Sequence, residues 1–217
     1  MANVIRISPN ALRASADRHM AVTATVDEAT ARISNLVNEL NAAWDGGASN
    51  EALEALRSIR EDIADIGQGT SGSANRLKSI AEAFEALDES GNGGIGGAII
   101  GVVEPILAKL SKLIVPVVRP AFNWFVPAAL RIVPDEVRQV AAQCRQVADE
   151  LRATAQQLNE MVQSLASEWE GKSYNRFAAD TRDMVVAFRN ASERLDDLAD
   201  TIAKAADRYE ALDNSLA

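Results

Sequence analysis

His19 and Cys144 are the one histidine and the one cysteine of this 217-residue chain, and they bound its chemistry. A zinc centre needs several imidazole, thiolate or carboxylate donors, and one ring and one thiol do not assemble it without others. A lone cysteine also forms no intrachain disulfide and implies no compartment. The carboxylates are dispersed around helix faces, the pattern of solvated surfaces rather than of an acid–base pair. Gly93-Gly94-Ile95-Gly96-Gly97 is glycine-rich but leads into an apolar segment without the lysine or serine of a phosphate loop. The expectation is a protein that is not an enzyme and carries no cofactor or metal. His19 and Cys144 are then packing residues. The remaining chemistry is recognition: an indole beside glycine at Trp44 and Gly46, the same pair at Trp169 and Gly171, and a phenol four residues before a carboxylate at Tyr209 and Asp213.

These residues are held by an internal repeat, a signal to be sought before any other. Trp44-Asp45-Gly46 recurs as Trp169-Glu170-Gly171, Pro9 as Pro134, and Glu85-Ala86-Leu87-Asp88 as Glu210-Ala211-Leu212-Asp213, always 125 residues on. Residues 7–88 and 132–213 align without a gap and agree at 17 of 82 positions. The chain therefore divides into a first copy (1–91), an insert (92–134) and a second copy (135–217).

Charge follows the same division. The first copy holds 8 basic and 14 acidic side chains, the second 10 and 16, and the insert 4 and 1, so two acidic copies flank a basic, apolar centre. A net charge of −9 gives no electrostatic case for nucleic acid. Residues 1–18 lack the basic start and apolar run of a secretory signal peptide, so export would need a route that reads another signal.

Low aromatic content and abundant Ala, Leu, Glu and Arg favour helix. In the first copy Leu12, His19, Val26, Ile33 and Leu40 stand seven apart, interleaved with Ser15, Val22, Ala29, Leu36 and Ala43. The second copy repeats this with Val137, Cys144, Leu151, Leu158 and Leu165. Alternating three- and four-residue steps place these side chains on one helix stripe. Asn10 and Asp135, each after a proline, fit helix starts. The stripe resumes beyond each tryptophan, through Leu56, Ile63, Thr70, Leu77 and Phe84, and through Met184, Phe188, Leu195, Leu198, Ile202, Tyr209 and Leu212. Each copy is thus helix, turn, helix, and neither hairpin can bury its seam alone. The predicted fold is all-α, two hairpins forming an antiparallel four-helix bundle with an apolar, mostly helical insert. Antiparallel packing sets Trp44 at the same end as Tyr209–Asp213; parallel packing would separate them, and antiparallel is favoured. Glycines within Gly67–Ser73 predict fraying or a kink there, at about 1 kcal/mol each relative to alanine.

Two hairpins turning on Trp-x-Gly resemble the WXG family of small helical proteins exported by type VII (ESX) secretion systems. The resemblance covers both copies and not the insert. It implies that two partners, usually separate chains, are fused here, and that the partner is the type VII machinery. It further implies that Tyr209 and Asp213 form the export signal, the Tyr-x-x-x-Asp/Glu near the end of the last helix. Phe84 stands where the first copy would need that tyrosine. The protein is then made in the cytoplasm and secreted without a cleavable signal peptide.

The insert is the part the repeat does not explain. From Ile95 to Val133, 25 of 39 residues are apolar, yet the longest uncharged run, Ser90–Val103, has 14. That falls short of the roughly 20 residues of a permanent transmembrane helix. Ile99 to Val115 can form a helix with Glu104, Lys109, Ser111 and Lys112 on one arc and Ile99, Ile100, Val103, Ile106, Leu107 and Leu110 among its apolar residues. Pro116 to Pro127, with Phe122, Trp124 and Phe125, reads as a turn or tip suited to a membrane boundary. One expectation is a segment that binds or enters membranes after export, as in helical pore-forming proteins. The other is a segment that only packs on the bundle, in a soluble adaptor or structural partner that binds an effector through it. Self-association is a further partner expectation.

Overall fold

The computed structural model describes residues 8–90 and 131–216. Four long helices dominate them: α1 (Pro9–Ala43), α2 (Gly47–Ser90), α3 (Pro134–Leu165) and α4 (Lys172–Leu216). Two two-residue strands, β1 (Trp44–Asp45) and β2 (Arg131–Ile132), pair antiparallel, Trp44 opposite Ile132 and Asp45 opposite Arg131. No strand is expected from the sequence; this one arises because the chain entering α3 runs beside the first turn.

The predicted seam is the observed core. Leu12, His19, Val26, Ile33 and Leu40 are all buried, as are Val137, Cys144, Leu151, Leu158 and Leu165. Full burial of each Leu or Ile side chain contributes about 1.5–3 kcal/mol, so packing of these stripes, not local propensity, holds the helices. Two local expectations are corrected. The α1 cap is Ser8, whose Oγ accepts from the Ala11 amide at 3.3 Å, with Pro9 as the first helical residue and Asn10 already inside. The Gly67–Ser73 stretch is not frayed, because α2 runs through it without interruption. Gly67, Gly69, Thr70 and Ser73 are buried there, and the Thr70 hydroxyl meets that of Thr23 on α1 at 3.1 Å, so close packing overrides the glycine penalty.

The described residues form two compact units, each drawing on both repeats. The first contains 8–26, 65–90 and 154–188; the second contains 27–64, 131–153 and 189–216. Each unit by itself is a four-helix bundle, with two helix segments from each hairpin. In the first, Leu12 and Ala16 of α1, Leu77, Ile80 and Ala81 of α2, Val162 and Leu165 of α3, and Phe177 and Ala178 of α4 close around Trp169. Arg76 of α2 pairs with Asp180 of α4 at 2.7 Å. In the second, Arg32 of α1 pairs with Glu150 of α3, and Arg194 of α4 with Asp62 of α2, so ion pairs link one hairpin to the other.

The hairpins pack antiparallel. In the first unit the Ser8 amide, at the start of α1, donates to the Glu168 carbonyl just beyond α3, at 3.0 Å. In the second the Val133 amide, at the start of α3, donates to the Ala43 carbonyl that ends α1, at 2.8 Å. These two bonds are the same bond in the repeat numbering.

Candidate functional site

Each turn is built around a glycine that no other residue replaces without strain. Gly46 has φ of 133° and Gly171 of 119°. Backbone in this region carries a Cβ only at a cost of roughly 1–3 kcal/mol. A Cβ built on Gly171 meets nothing within 4 Å, so the constraint there is conformational and not one of space. The glycine carbonyl then accepts from the amide four residues on, Asn50 to Gly46 at 3.3 Å and Asn175 to Gly171 at 3.1 Å. This starts the second helix while the tryptophan two residues before the glycine turns inward.

Both indoles are buried, Trp44 to 1% exposure and Trp169 to 0%, yet their surroundings differ. Trp169 Nε1 donates to Ser173 Oγ at 3.2 Å. Its ring lies 5.8 Å from Tyr174 and 5.5 Å from Phe177, centroid to centroid. The Tyr174 hydroxyl in turn donates to the Val162 carbonyl at 3.1 Å. Trp44 Nε1 is buried with no hydrogen-bond partner. In the repeat, Ala48 stands in place of Ser173, Ser49 in place of Tyr174 and Ala52 in place of Phe177. The Ser49 hydroxyl turns back to the Gly46 carbonyl at 2.7 Å.

The terminal segment lies at the Trp44 end of the second unit. Arg138, one turn into α3, binds Asp207 at 3.0 Å and also Glu210 on α4, and Asp135 on its own helix at 3.0 Å. Glu210, most strongly, and Asp207 hold the guanidinium well above its ordinary pKa. Because α3 starts against Ala43 and Trp44, this clasp sets Tyr209–Asp213 at the same end of the unit as the first turn, as antiparallel packing requires. Tyr209 is half-buried, and burial raises its phenol pKa, so the ring stays protonated at neutral pH. Asp213 is exposed, and so is Leu212, at 55%. Leu212 continues the sequence stripe, but it faces solvent at the end of α4.

Phe84, the repeat counterpart of Tyr209, packs against the Trp169 cluster of the first unit. Glu85, next to it, pairs with Arg13 of α1. Arg13 and Arg138, like Glu85 and Glu210, correspond in the repeat, so the clasp is made twice. A search for apolar spacing misses this charged pair; the signal that finds it is the identity of both residues in the two copies. Phe177 is also missing from the expected stripe, although it lies one heptad before Met184. The insert residues Ile99, Ile100, Val103, Ile106, Leu107, Leu110, Phe122, Trp124 and Phe125 lie outside the described residues.

Comparison with known families decides what this pair of turns belongs to. A model described as WXG100, proteins of 100 residues with WXG, matches residues 4–89 and again residues 129–214. The chain belongs to the WXG100 family. The two WXG100 matches are offset by the same 125 residues as the internal repeat, so the chain is two family units in tandem. Neither a curated protein nor a solved structure matches it. WXG100 membership points to a type VII secretion substrate, a class exported without a signal peptide, and to a structural rather than enzymatic protein. No helix among the described residues is long and apolar enough to cross a membrane. Among those residues no group of His, Cys, Asp and Glu could hold a metal ion.

Proposed function

We propose that this WXG100 tandem is exported by a type VII system with its two hairpins already paired, and that Tyr209 and Asp213 are read together with the Trp44 turn. The observation that supports this reading is the Arg138 clasp, which ties the tyrosine segment of the second hairpin to the start of α3, at the same end as the Trp44 turn. Only this end offers a Tyr-x-x-x-Asp; the other has Phe84. Tyr209→Ala is expected to abolish export, measured as the secreted fraction in a host carrying the system. Helicity and unfolding midpoint should stay near those of the parent chain, because Tyr209 is only half-buried. Export at the parent level would end the assignment.

The action after export is proposed to lie in the insert, 92–134, through contact with a membrane. Support comes from its composition: apolar residues, four basic against one acidic, and Trp124 in a proline-bounded tip. Dye release from anionic vesicles by the full chain, lost on deleting 95–133, is the expected result. No release across pH and lipid composition would remove the membrane reading. A co-purifying protein lost on changing Trp124 and Phe125 to serine would favour effector binding in its place.

A further inference from the structure

The turns make no use of the one histidine, yet the first unit buries it completely. His19 is 0% exposed on α1. Its Nδ1 lies 2.9 Å from the Ser15 carbonyl, and a carbonyl can only accept, so Nδ1 carries the proton and donates. Nε2 is buried without a hydrogen-bond partner, and the Phe177 ring lies 5.7 Å away, centroid to centroid. A neutral ring tolerates this site. An imidazolium would place a second N–H and a full charge where no acceptor waits. Burial accordingly lowers the ring's pKa, against the Ser15 carbonyl, which raises it.

The described charged groups of the surrounding helices offer no rescue. On α1, Asp17 and Arg18 are exposed, Asp17 pairing with Lys78 of α2 at 3.3 Å, and Arg13 is held by Glu85 of α2. On α2, Arg76 is taken by Asp180, while Asp65 and Glu82 are exposed. On α3 within this unit, Glu160 is the one titratable residue; it is exposed and accepts from Gln156 at 2.9 Å. On α4, Lys172, Arg176, Arg182 and Asp183 are exposed, Tyr174 donates to the Val162 carbonyl, and Asp180, the buried carboxylate, is engaged by Arg76. The first unit is also the more polar inside. Among the described residues it holds seven of the nine that are buried and polar, Ser15, His19, Thr70, Ser73, Thr154, Asp180 and Thr181, against Ser49 and Ser192 in the second. At the repeat position of His19 the second unit has buried Cys144, whose thiol burial pushes up to about 12, so it stays neutral through the acid range.

We propose that the first unit is an acid-sensitive latch, in which protonation of His19 opens the helix packing around Trp169 while the second unit stays closed. The sign follows from linkage. An exposed histidine titrates near about 6.5, and the folded ring titrates below that. The open state therefore binds the proton first. The stability His19 confers is fully present above that pH and is lost as pH falls beneath it, by at most about tenfold in the opening constant per pH unit. Carboxylates paired with arginine, such as Glu85 and Asp200, have lowered pKa values and act only at more acidic pH.

The test is amide hydrogen exchange on the full chain at pH 7.0 and 5.0, each rate divided by its intrinsic rate at that pH. Expected is an increase of up to about 30-fold in opening for amides of residues 12–26 and 174–188, and no change for residues 36–43 and 197–206. His19→Cys, the residue of the second repeat, should remove the dependence. Retention of it in His19→Cys, equal opening of both units in the parent, or no opening in either would overturn the proposal. Should His19→Cys not fold, the parent chain still decides. As the only histidine, its ring can be followed directly by NMR, and protonation near the ordinary value with Trp169 packing unchanged would overturn the latch.

Discussion

The Trp169 turn and the Trp44 turn share one backbone plan and differ in the side chains around it. Both have a positive-φ glycine, an amide four residues on that returns to its carbonyl, and an incoming segment whose amide bonds to the carbonyl just before the tryptophan. Around Trp169 the sequence supplies a hydroxyl acceptor and two aromatic rings; around Trp44 it supplies two alanines and a serine occupied elsewhere. Fusion into one chain frees the copies from being alike. One end commits its aromatic residues to internal packing, with half-buried Phe84 set against the Trp169 cluster. The other has Tyr209, equally half-buried, on a segment clasped to the start of α3 by Arg138.

The largest effect expected from this contrast is on the two tryptophans. Trp169→Ala should cost about 4 kcal/mol, the loss of a buried aromatic plus the cavity left among Leu12, Leu165 and Phe177. Trp44→Ala removes a ring of the same size, but it also removes a buried donor that has no acceptor, and so should cost about 1–2 kcal/mol less. Urea unfolding of both variants measures the difference. Equal losses would mean that the two turns are energetically alike despite their surroundings.

A smaller effect should be the same at both ends, since it rests on the shared backbone. Gly171→Ala is expected to destabilise by about 2 kcal/mol through strain alone, because a Cβ there contacts nothing. Gly46→Ala should lose a similar amount. A neutral Gly171→Ala would show that the turn relaxes to another conformation and that the glycine is not what fixes it.

Much of this architecture is legible in the sequence, for a physical reason. A seam of seven-residue spacing is a property of the helix itself, so Leu12 through Leu40 and Val137 through Leu165 declare their burial without reference to any partner. The 125-residue offset likewise aligns the two turns by residue identity alone. What depends on the opposite hairpin is not legible. Arg32–Glu150, Asp62–Arg194 and Arg76–Asp180 join positions more than 100 residues apart and have no counterpart in the repeat. Gly67–Ser73 misleads because helix propensity describes an exposed helix, whereas one face of α2 is buried there. Leu212 misleads in the opposite sense: the stripe continues in sequence after the helices that would cover it have stopped. For the recognition residues, the heptad places Tyr209 and Phe84 alike, and only the phenol distinguishes them.

The smallest effect is also the most direct test of the contrast between the turns. Ala48 occupies the repeat position of Ser173, four residues after its tryptophan, at the start of a helix with the same glycine geometry. Ala48→Ser should therefore bring a hydroxyl within reach of Trp44 Nε1, as Ser173 Oγ lies 3.2 Å from Trp169 Nε1. Satisfying a buried donor contributes about 1–2 kcal/mol, while serine in place of alanine costs the helix about 0.5 kcal/mol. The net expectation is a gain of about 1 kcal/mol, read as a higher urea midpoint. Ser173→Ala carries the opposite sign and should lose more than Ala48→Ser gains, since it orphans a donor in a site packed to the geometry of that bond. If Ala48→Ser is neutral while Ser173→Ala is costly, the Trp44 indole already has an acceptor in solution, and the difference between the two turns lies in their aromatic surroundings alone.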